Sequence, residues 1–457
     1  MRKQTLKLIL LILALYITQI SARSAQIVYP KSNNVVINSP RTFFIGNEDP
    51  SKTLKINGSE VKLHVSGGFK YPVPLIKGEN IFIIDNGEEI QTYRIINKFS
   101  EKPTPELTQK LYDTPFIGLT KTDNTPIRSI PYDGGLNRLQ HYTKDIPLKI
   151  IGEYGDFYKI QLARDDYVWA LKKHIIKAEL TEQPTSEIFS RDYSEDANKR
   201  IFKFKLNKRL PYILSETNGL DLVVYGVEKY PFNKFEFHIN KKGTLFGYNS
   251  YYTEDNTLVI EVKKTPAINK EKPLQGIKIA IDPGHGGAEY GTIGCLGGKE
   301  KDNNLAISLK IQKKLQDAGA DVFMIRSDDR YVGLYERVEL TNKNNCDLFI
   351  SIHNNALPDK LADRDCSGTE VYYFYPQSKA LAKSILRAIT TEAGTRDNGA
   401  IGGSFAVIRN TQCPAILIEV AYKISPEDNW RLINNEFQDK VAEAILHGLE
   451  KYLNGLQ

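Results

Sequence analysis

Cysteine is scarce. Four in 457 residues are too few for a chain built on disulfides, whose scaffolds are cysteine-dense. Long apolar runs are also few. The one strongly apolar stretch, Leu8 to Ile17, falls well short of the roughly 20 residues a helix needs to cross a bilayer. The net charge of +6 is modest and spread along the chain, without the basic stripe of a nucleic-acid binder. A His-Glu-x-x-His helix and a Cys-x-x-Cys pair are both missing, which disfavours the common zinc-protease design and a cysteine-held metal. Apolar residues at 41% and charged residues at 25% are ordinary for globular chains and exclude disorder, collagen or coiled coil as a description of the whole. At roughly 100–200 residues per domain, the length allows about three or four domains.

What is present begins with an export pattern. Arg2, Lys3 and Lys7 precede the apolar run, and small residues follow at Ser21, Ala22, Ser24 and Ala25. This reads as a secretory signal peptide over 1–25. It implies an exported protein of the periplasm or cell envelope, with no transmembrane span after cleavage.

Three strand-rich regions follow, and three all-β modules are expected. Residues 26–98 alternate short β-type runs with turns, including Thr53-Leu54-Lys55-Ile56, then Asn57-Gly58, then Val61 to Val65. The Asn-Gly pair between alternating runs signals a hairpin. With Gly-x-Phe and Leu-x-x-Gly-x-Asn nearby, this stretch resembles bacterial immunoglobulin-like β-sandwiches. A proline-bearing linker, Lys102 to Glu106, leads to 107–180. There Leu148 to Glu153, Asp156 to Ile160 and Tyr167 to Ala170 resemble a bacterial SH3-like barrel. That resemblance implies cell-wall binding. Its aromatics Phe157, Tyr158 and Trp169 could line a surface, but so small a barrel needs at least two of them for its core. Residues 185–265 hold Ile201 to Leu206, Leu222 to Tyr225 and Leu258 to Val262 as alternating strands, and their order resembles an AMIN-type module.

The region 274–457 changes character. Strands are expected at Ile277 to Ile281, Asp321 to Arg326, Asp347 to Ile352, Glu370 to Tyr375, Phe405 to Ile408 and Ala415 to Val420. Helices are expected at Asn304 to Ala318, Leu334 to Asn344, Ser378 to Ala393 and Glu427 to Tyr452. Such alternation predicts an α/β domain with a mostly parallel sheet flanked by helices. Open α/β sheets carry their sites at the carboxyl ends of strands. Three polar motifs stand there: Asp282-Pro283-Gly284-His285-Gly286-Gly287, Ser351-Ile352-His353-Asn354-Asn355-Ala356, and Leu417-Ile418-Glu419-Val420-Ala421-Tyr422. Glu300 opens the first helix, with Asp302 and Asn303 as candidate caps. Two histidines and a carboxylate, His285, His353 and Glu300, could supply three zinc ligands and leave the fourth position open. A second carboxylate is then needed to move protons, and Glu419, leaving an apolar strand, is the candidate; burial would raise its pKa. His64, His141, His174, His238 and His447 lack such a setting and read as surface or packing residues.

The motifs of residues 276–455 closely resemble the zinc-dependent N-acetylmuramoyl-L-alanine amidases of the amidase-3 family. They comprise Ile281 to Gly287, Glu300-Lys301-Asp302 with Asn304-Leu305, Arg337, Phe349 to Ala356, Gly368 to Tyr373, Val407-Ile408-Arg409 and Pro414 to Glu419. The resemblance implies metal ligands at His285, Glu300 and His353, a zinc cofactor and the catalytic acid/base at Glu419. It implies hydrolysis of the amide between the lactyl group of N-acetylmuramic acid and L-alanine of the stem peptide. Peptidoglycan is the implied partner, and envelope localisation or activator proteins are further candidates. The chain departs from the family's usual Glu-x-Gly-Phe, reading Val420-Ala421-Tyr422-Lys423 after Glu419, which bears on pocket shape. The segments from Ala356 to Gly368 and from Tyr375 to Phe405 are too short to hold a large autoinhibitory insertion.

Cys295, Cys346, Cys366 and Cys413 all fall in this last region. An oxidising compartment permits disulfides, and three complete pairings stay open. Two rival readings also stay open: a non-catalytic wall binder or activator on a degenerate amidase fold, and a zinc peptidase of another envelope amide.

Overall fold

The computed structural model describes residues 24–100, 108–217, 219–240 and 245–456. The expected signal peptide, apart from its last two residues, and the whole linker from Lys102 to Glu106 lie outside the described residues. No helix among those described is long and apolar enough to cross a membrane.

Residues 26–97 form two facing sheets, one of three strands and one of five. Phe44 on the smaller sheet meets Phe82 and Tyr93 on the larger, edge to face at 5.2 and 5.6 Å. The expected hairpin is present: Leu54–Ile56 pairs with Ser59–Val61. Asn57 and Gly58 both take positive φ, 50° and 81°, as a two-residue turn that follows strand twist requires.

Residues 110–177 make one antiparallel seven-stranded sheet. Phe157 and Trp169 are buried and Tyr158 is half-buried, so burial claims two of the three aromatics. The next region has a four-stranded and a three-stranded sheet. Its core is continuous with that of the preceding region: Ile127, Leu148 and Ile160 belong to the same apolar cluster as Phe204, Leu222 and Ile260.

The last region is a six-stranded mixed sheet between helices. In chain order the elements are β1 (Lys278–Pro283), α1 (Glu300–Asp317), β2 (Asp321–Met324), α2 (Leu334–Lys343), β3 (Leu348–Asn355), β4 (Thr369–Tyr373), α3 (Lys379–Glu392), β5 (Asp397–Gly402), α4 (Ala406–Arg409), β6 (Ala415–Tyr422), α5 (Pro426–Leu432) and α6 (Asn435–Asn454). The strand order is β2-β1-β3-β6-β4-β5. Four pairings are parallel, but β4 runs antiparallel to β6. The expectation of a mostly parallel sheet is therefore only partly met.

Strand side chains alternate between faces, and here both faces are apolar. Ile279, Ile281, Ile350, Ile352, Ile416 and Ile418 pack against α1, α3 and α6. Ala280, Phe349, Ala415 and Leu417 pack against residues of α2 and α4. Burial on both faces is why these strands read as continuous apolar runs.

Two local expectations fail. Phe405 to Ile408 is not a strand: Ala406–Arg409 is a helical turn, and the strand beside β4 is Asp397–Gly402, whose glycines hid it. Asp302 and Asn303 do not cap α1. Its N-cap is Lys299, without a side-chain cap, and Asn303 instead donates to the Leu432 carbonyl at 2.8 Å. Between Tyr373 and Ala406 the chain makes α3, β5 and one short turn, with no further helix. All four cysteines are free and buried.

The first module packs on the loops that flank the sheet's carboxyl end. Phe43 and Ile45 share an apolar cluster with Cys295, Ala362, Cys366, Tyr422 and Ile424. Thr42 and Tyr29 both donate to the Asp359 carboxylate, at 2.6 Å and 2.8 Å.

Candidate active site

The floor of the site is a buried ion pair. Asp282, near the end of β1, is fully buried, and Arg337 of α2 is 3% exposed. Arg337 Nη1 donates to Asp282 Oδ1 at 2.5 Å and Nη2 to the His285 carbonyl at 2.9 Å. Ser351 Oγ donates to the other Asp282 oxygen at 2.8 Å. Arg326 donates to the carbonyls of Pro283 and Gly284, each at 2.9 Å. Two arginines thus hold the backbone of the loop that carries His285. That residue sits at φ 60°, a left-handed conformation uncommon outside glycine.

Glu300, the first residue of α1, is buried between two imidazoles. Its Oε1 lies 3.2 Å from His285 Nε2 and 3.0 Å from His353 Nδ1. Backbone donors fix the carboxylate, Asn354 N–H to Oε1 at 3.2 Å and Thr292 N–H to Oε2 at 2.9 Å. Burial works to raise this carboxyl's pKa, but the two imidazoles outweigh it and hold it well below the usual range. One ligand atom each from His285, Glu300 and His353 lies within 4.8 Å of the others. One turn along α1, Asn304 Nδ2 donates to the Gly284 carbonyl at 3.1 Å, and its Oδ1 accepts from Asn354 Nδ2 at 2.6 Å.

Two glycines make this approach sterically open. A Cβ on Gly284 would collide with the His353 ring, and one on Gly291, at φ 65°, would collide with the Glu300 carboxylate and the His285 ring.

Glu419 on β6 is the register partner of His353 on β3 and of Glu370 on β4. Glu370 is filled by donors: Tyr372 OH at 2.5 Å, Tyr422 OH at 2.7 Å and Asn355 Nδ2 at 2.9 Å. Glu419 Oε2 is buried with no hydrogen-bond partner. Burial, then the negative charges of Glu300 and Glu370, push its pKa well above the ordinary carboxyl value. The Tyr422 hydroxyl thus anchors the carboxylate beside Glu419. Lys423 is fully buried. Its Nζ donates to Asn303 Oδ1 at 2.5 Å, and burial lowers its pKa to about 8.

The donor set fits zinc. Two imidazoles and one carboxylate converge, the carboxylate is held by backbone amides, and three protein ligands are what a catalytic zinc site uses. The four residues expected from the motifs are thus brought together. Glu370, Asn304, Asn354 and Lys423 stand in the quoted motifs, but the sequence assigns them no role. Glu370 left a faint signal, a carboxylate opening an apolar strand, but its place beside Glu419 depends on β4 running antiparallel. The other five histidines stand apart from this cluster. His64, His238 and His447 bond to Ser66, Asp221 and Glu392.

Residues 279–451 match the family described as N-acetylmuramoyl-L-alanine amidase. The uncharacterized protein YqiI of Bacillus subtilis (strain 168) is 37% identical over 191 residues, 41% of this chain and 90% of that protein. The probable cell wall amidase LytH of Staphylococcus epidermidis (strain ATCC 12228 / FDA PCI 1200) is 36% identical over 185 residues, 40% of this chain and 60% of LytH. The N-acetylmuramoyl-L-alanine amidase LytC of Bacillus subtilis (strain 168) is 34% identical over 197 residues, 42% of this chain and 40% of LytC. This chain therefore spans less than two thirds of that LytH and of LytC. Among solved structures, an N-acetylmuramoyl-L-alanine amidase from Clostridium difficile 630 has 34% identity, covers 40% of this chain and 100% of its own, and has a TM-score of 0.38.

Proposed function

The chain belongs to the N-acetylmuramoyl-L-alanine amidase family, and from that premise we propose that it hydrolyses peptidoglycan at the amide between the lactyl group of N-acetylmuramic acid and L-alanine of the stem peptide. The observation that carries this reading is the convergence of His285, Glu300 and His353 beside the unpartnered carboxyl of Glu419.

His285, Glu300 and His353 would hold a zinc ion, which when bound supplies a Lewis acid to polarise the carbonyl and acidify water. The chain's own residues do the rest. Glu419 takes a proton from the attacking water at its carboxylate and returns it to the departing L-alanine nitrogen. Its burial and its two carboxylate neighbours favour the proton-carrying form, which suits a group that must hold a proton between two transfers. Glu370, tied by three donors, is held in a fixed position next to it. Arg337 and Arg326 hold the His285 loop, and Asn304 and Asn354 orient Glu300.

The strand-rich regions serve as envelope-targeting modules in this reading: immunoglobulin-like, SH3-like and AMIN-like in chain order. The protein acts outside the cytoplasm, on the cell wall. The test is digestion of purified peptidoglycan with and without a chelator, read by mass spectrometry. Intact stem peptides with free L-alanine amino ends, lost on chelation and restored by zinc, are expected. Wall binding without such products would move the protein to the class of non-catalytic binders.

A further inference from the structure

A second polar cleft lies between the strand-rich modules and the α2–α4 side of the last domain. It has a volume of about 660 Å³ and adjoins another of about 470 Å³, sharing Arg138, His141, Tyr335 and Arg409 with it.

One end of the cleft is cationic and under-satisfied. Arg138 comes from the second module and Arg409 from α4. The arginines that pair with carboxylates among the described residues are Arg41, Arg94, Arg128, Arg337, Arg396 and Arg431; Arg138 and Arg409 are not among them. Arg409 is only 9% exposed, and its Nη1 donates to the Ser404 carbonyl at 2.9 Å and hydroxyl at 2.8 Å. The Nε atoms of both arginines, Asn410 Nδ2 and His141 Nε2 are buried without partners. Burial first, then Arg409, Arg138 and Arg128, lower the His141 pKa to about 3, so the imidazole is neutral and the guanidiniums carry the charge. Two guanidiniums that line one cleft without a carboxylate partner favour an oxyanion there.

The other end has the opposite character. Glu216 lines the same cleft. Its Oε2 accepts from the Gln377 backbone at 2.9 Å, the Tyr248 hydroxyl lies against the same carboxyl, and burial raises its pKa to about 7, so an ammonium beside it would draw it into its charged form. Tyr248 and Tyr375, packed edge to face at 5.4 Å, line the wall beside it. A uniformly anionic polymer would meet this carboxyl unfavourably. A peptide with a free carboxylate at one point and an ammonium at another matches both ends.

We propose that this cleft binds the stem peptide, its carboxylate held by Arg138 and Arg409 and its freed amino group by Glu216. The ligand follows from the proposed reaction, which leaves the released peptide with exactly such an amino end; the inference therefore rests on the amidase reading. The cleft would act as a product site separate from the zinc centre, formed only where the modules meet the catalytic domain.

The test is calorimetry on the full chain with stem peptides released from purified peptidoglycan by a separate amidase. Binding is expected, with affinity at least tenfold weaker in Arg138→Ala and partly recovered in Arg138→Lys. N-acetylating the peptide should weaken binding to the wild type, and that discrimination should vanish in Glu216→Gln. No peptide binding, equal binding by wild type and Arg138→Ala, or tighter binding of polyglycerol phosphate than of peptide would overturn the proposal. Wall digestion run in parallel separates the two readings. Normal cleavage without peptide binding sinks only the cleft, whereas Arg138-dependent binding without cleavage supports the cleft and sinks the amidase reading.

Discussion

His353 and Glu419 stand opposite each other on the adjacent parallel strands β3 and β6. Register partners point to the same face of a sheet. A candidate metal ligand and the candidate proton carrier therefore share one short stretch of sheet edge, and the same register sets Glu370 on the far side of Glu419.

Replacing Glu419 by Gln keeps shape and removes the titrating group. Hydrolysis of peptidoglycan is expected to fall by about 10²–10⁴-fold, the usual weight of a positioned acid/base. Zinc content by plasma mass spectrometry should stay near one per chain. Activity within a factor of about three of the wild type would remove Glu419 from the mechanism.

Gly284→Ala tests the packing around the proposed ligands. The new Cβ falls on the His353 ring, so the ring must move. Zinc affinity, read by competition with a chromogenic chelator, is expected to drop about 10–100-fold, in the range seen when the support of a ligand is disturbed. Unchanged affinity would mean that the His353 ring is free to relocate.

Arg337→Met leaves the Asp282 charge buried and unpaired. Removing one partner of a buried pair costs about 3–5 kcal/mol. The loss can be read by urea unfolding of the full chain in a Trp169→Phe background, where Trp430 of α5 is the remaining tryptophan. Adding Asp282→Asn to Arg337→Met should return part of the loss, since the unpaired charge goes with it. An additive double variant would contradict the pairing.

Lys423 gives a pH signature. Burial lowers its folded pKa to about 8 from 10.5, so between these values the unfolded chain binds more protons than the folded one. This contribution therefore raises stability as pH climbs through that window, and penalises folding below it. Wild type minus Lys423→Met, followed by urea unfolding from pH 7 to 10.5, should show that slope. A flat difference would mean that Lys423 is not the titrating group.

The positions of the candidate site residues were legible in the sequence because each ends or opens a strongly patterned element, while their roles came from the motifs' resemblance to the amidase-3 family. His285 and His353 follow apolar strands, Glu419 sits late in one, and Glu300 opens a helix. Those positions follow from alternation and helical spacing, which are local properties of the chain. The hairpin at Asn57-Gly58 was legible for the same reason: the turn requires residues that tolerate positive φ, and the two residues supply it.

What the tertiary structure alone decided is non-local. The reversal of β4 against β6, and with it the pairing of Glu370 with Glu419, depends on which strands meet, not on any strand's own pattern. The short helix at Ala406–Arg409 overrides an apolar run that reads equally well as a strand, because α2 packs against it. The shared core of the second and third strand-rich regions joins residues more than 40 positions apart, such as Ile160 and Phe204, and the cleft where Arg138, Arg409 and Glu216 face one space joins residues more than 70 apart. Periodicity reports which face of an element is buried. Only packing decides what buries it.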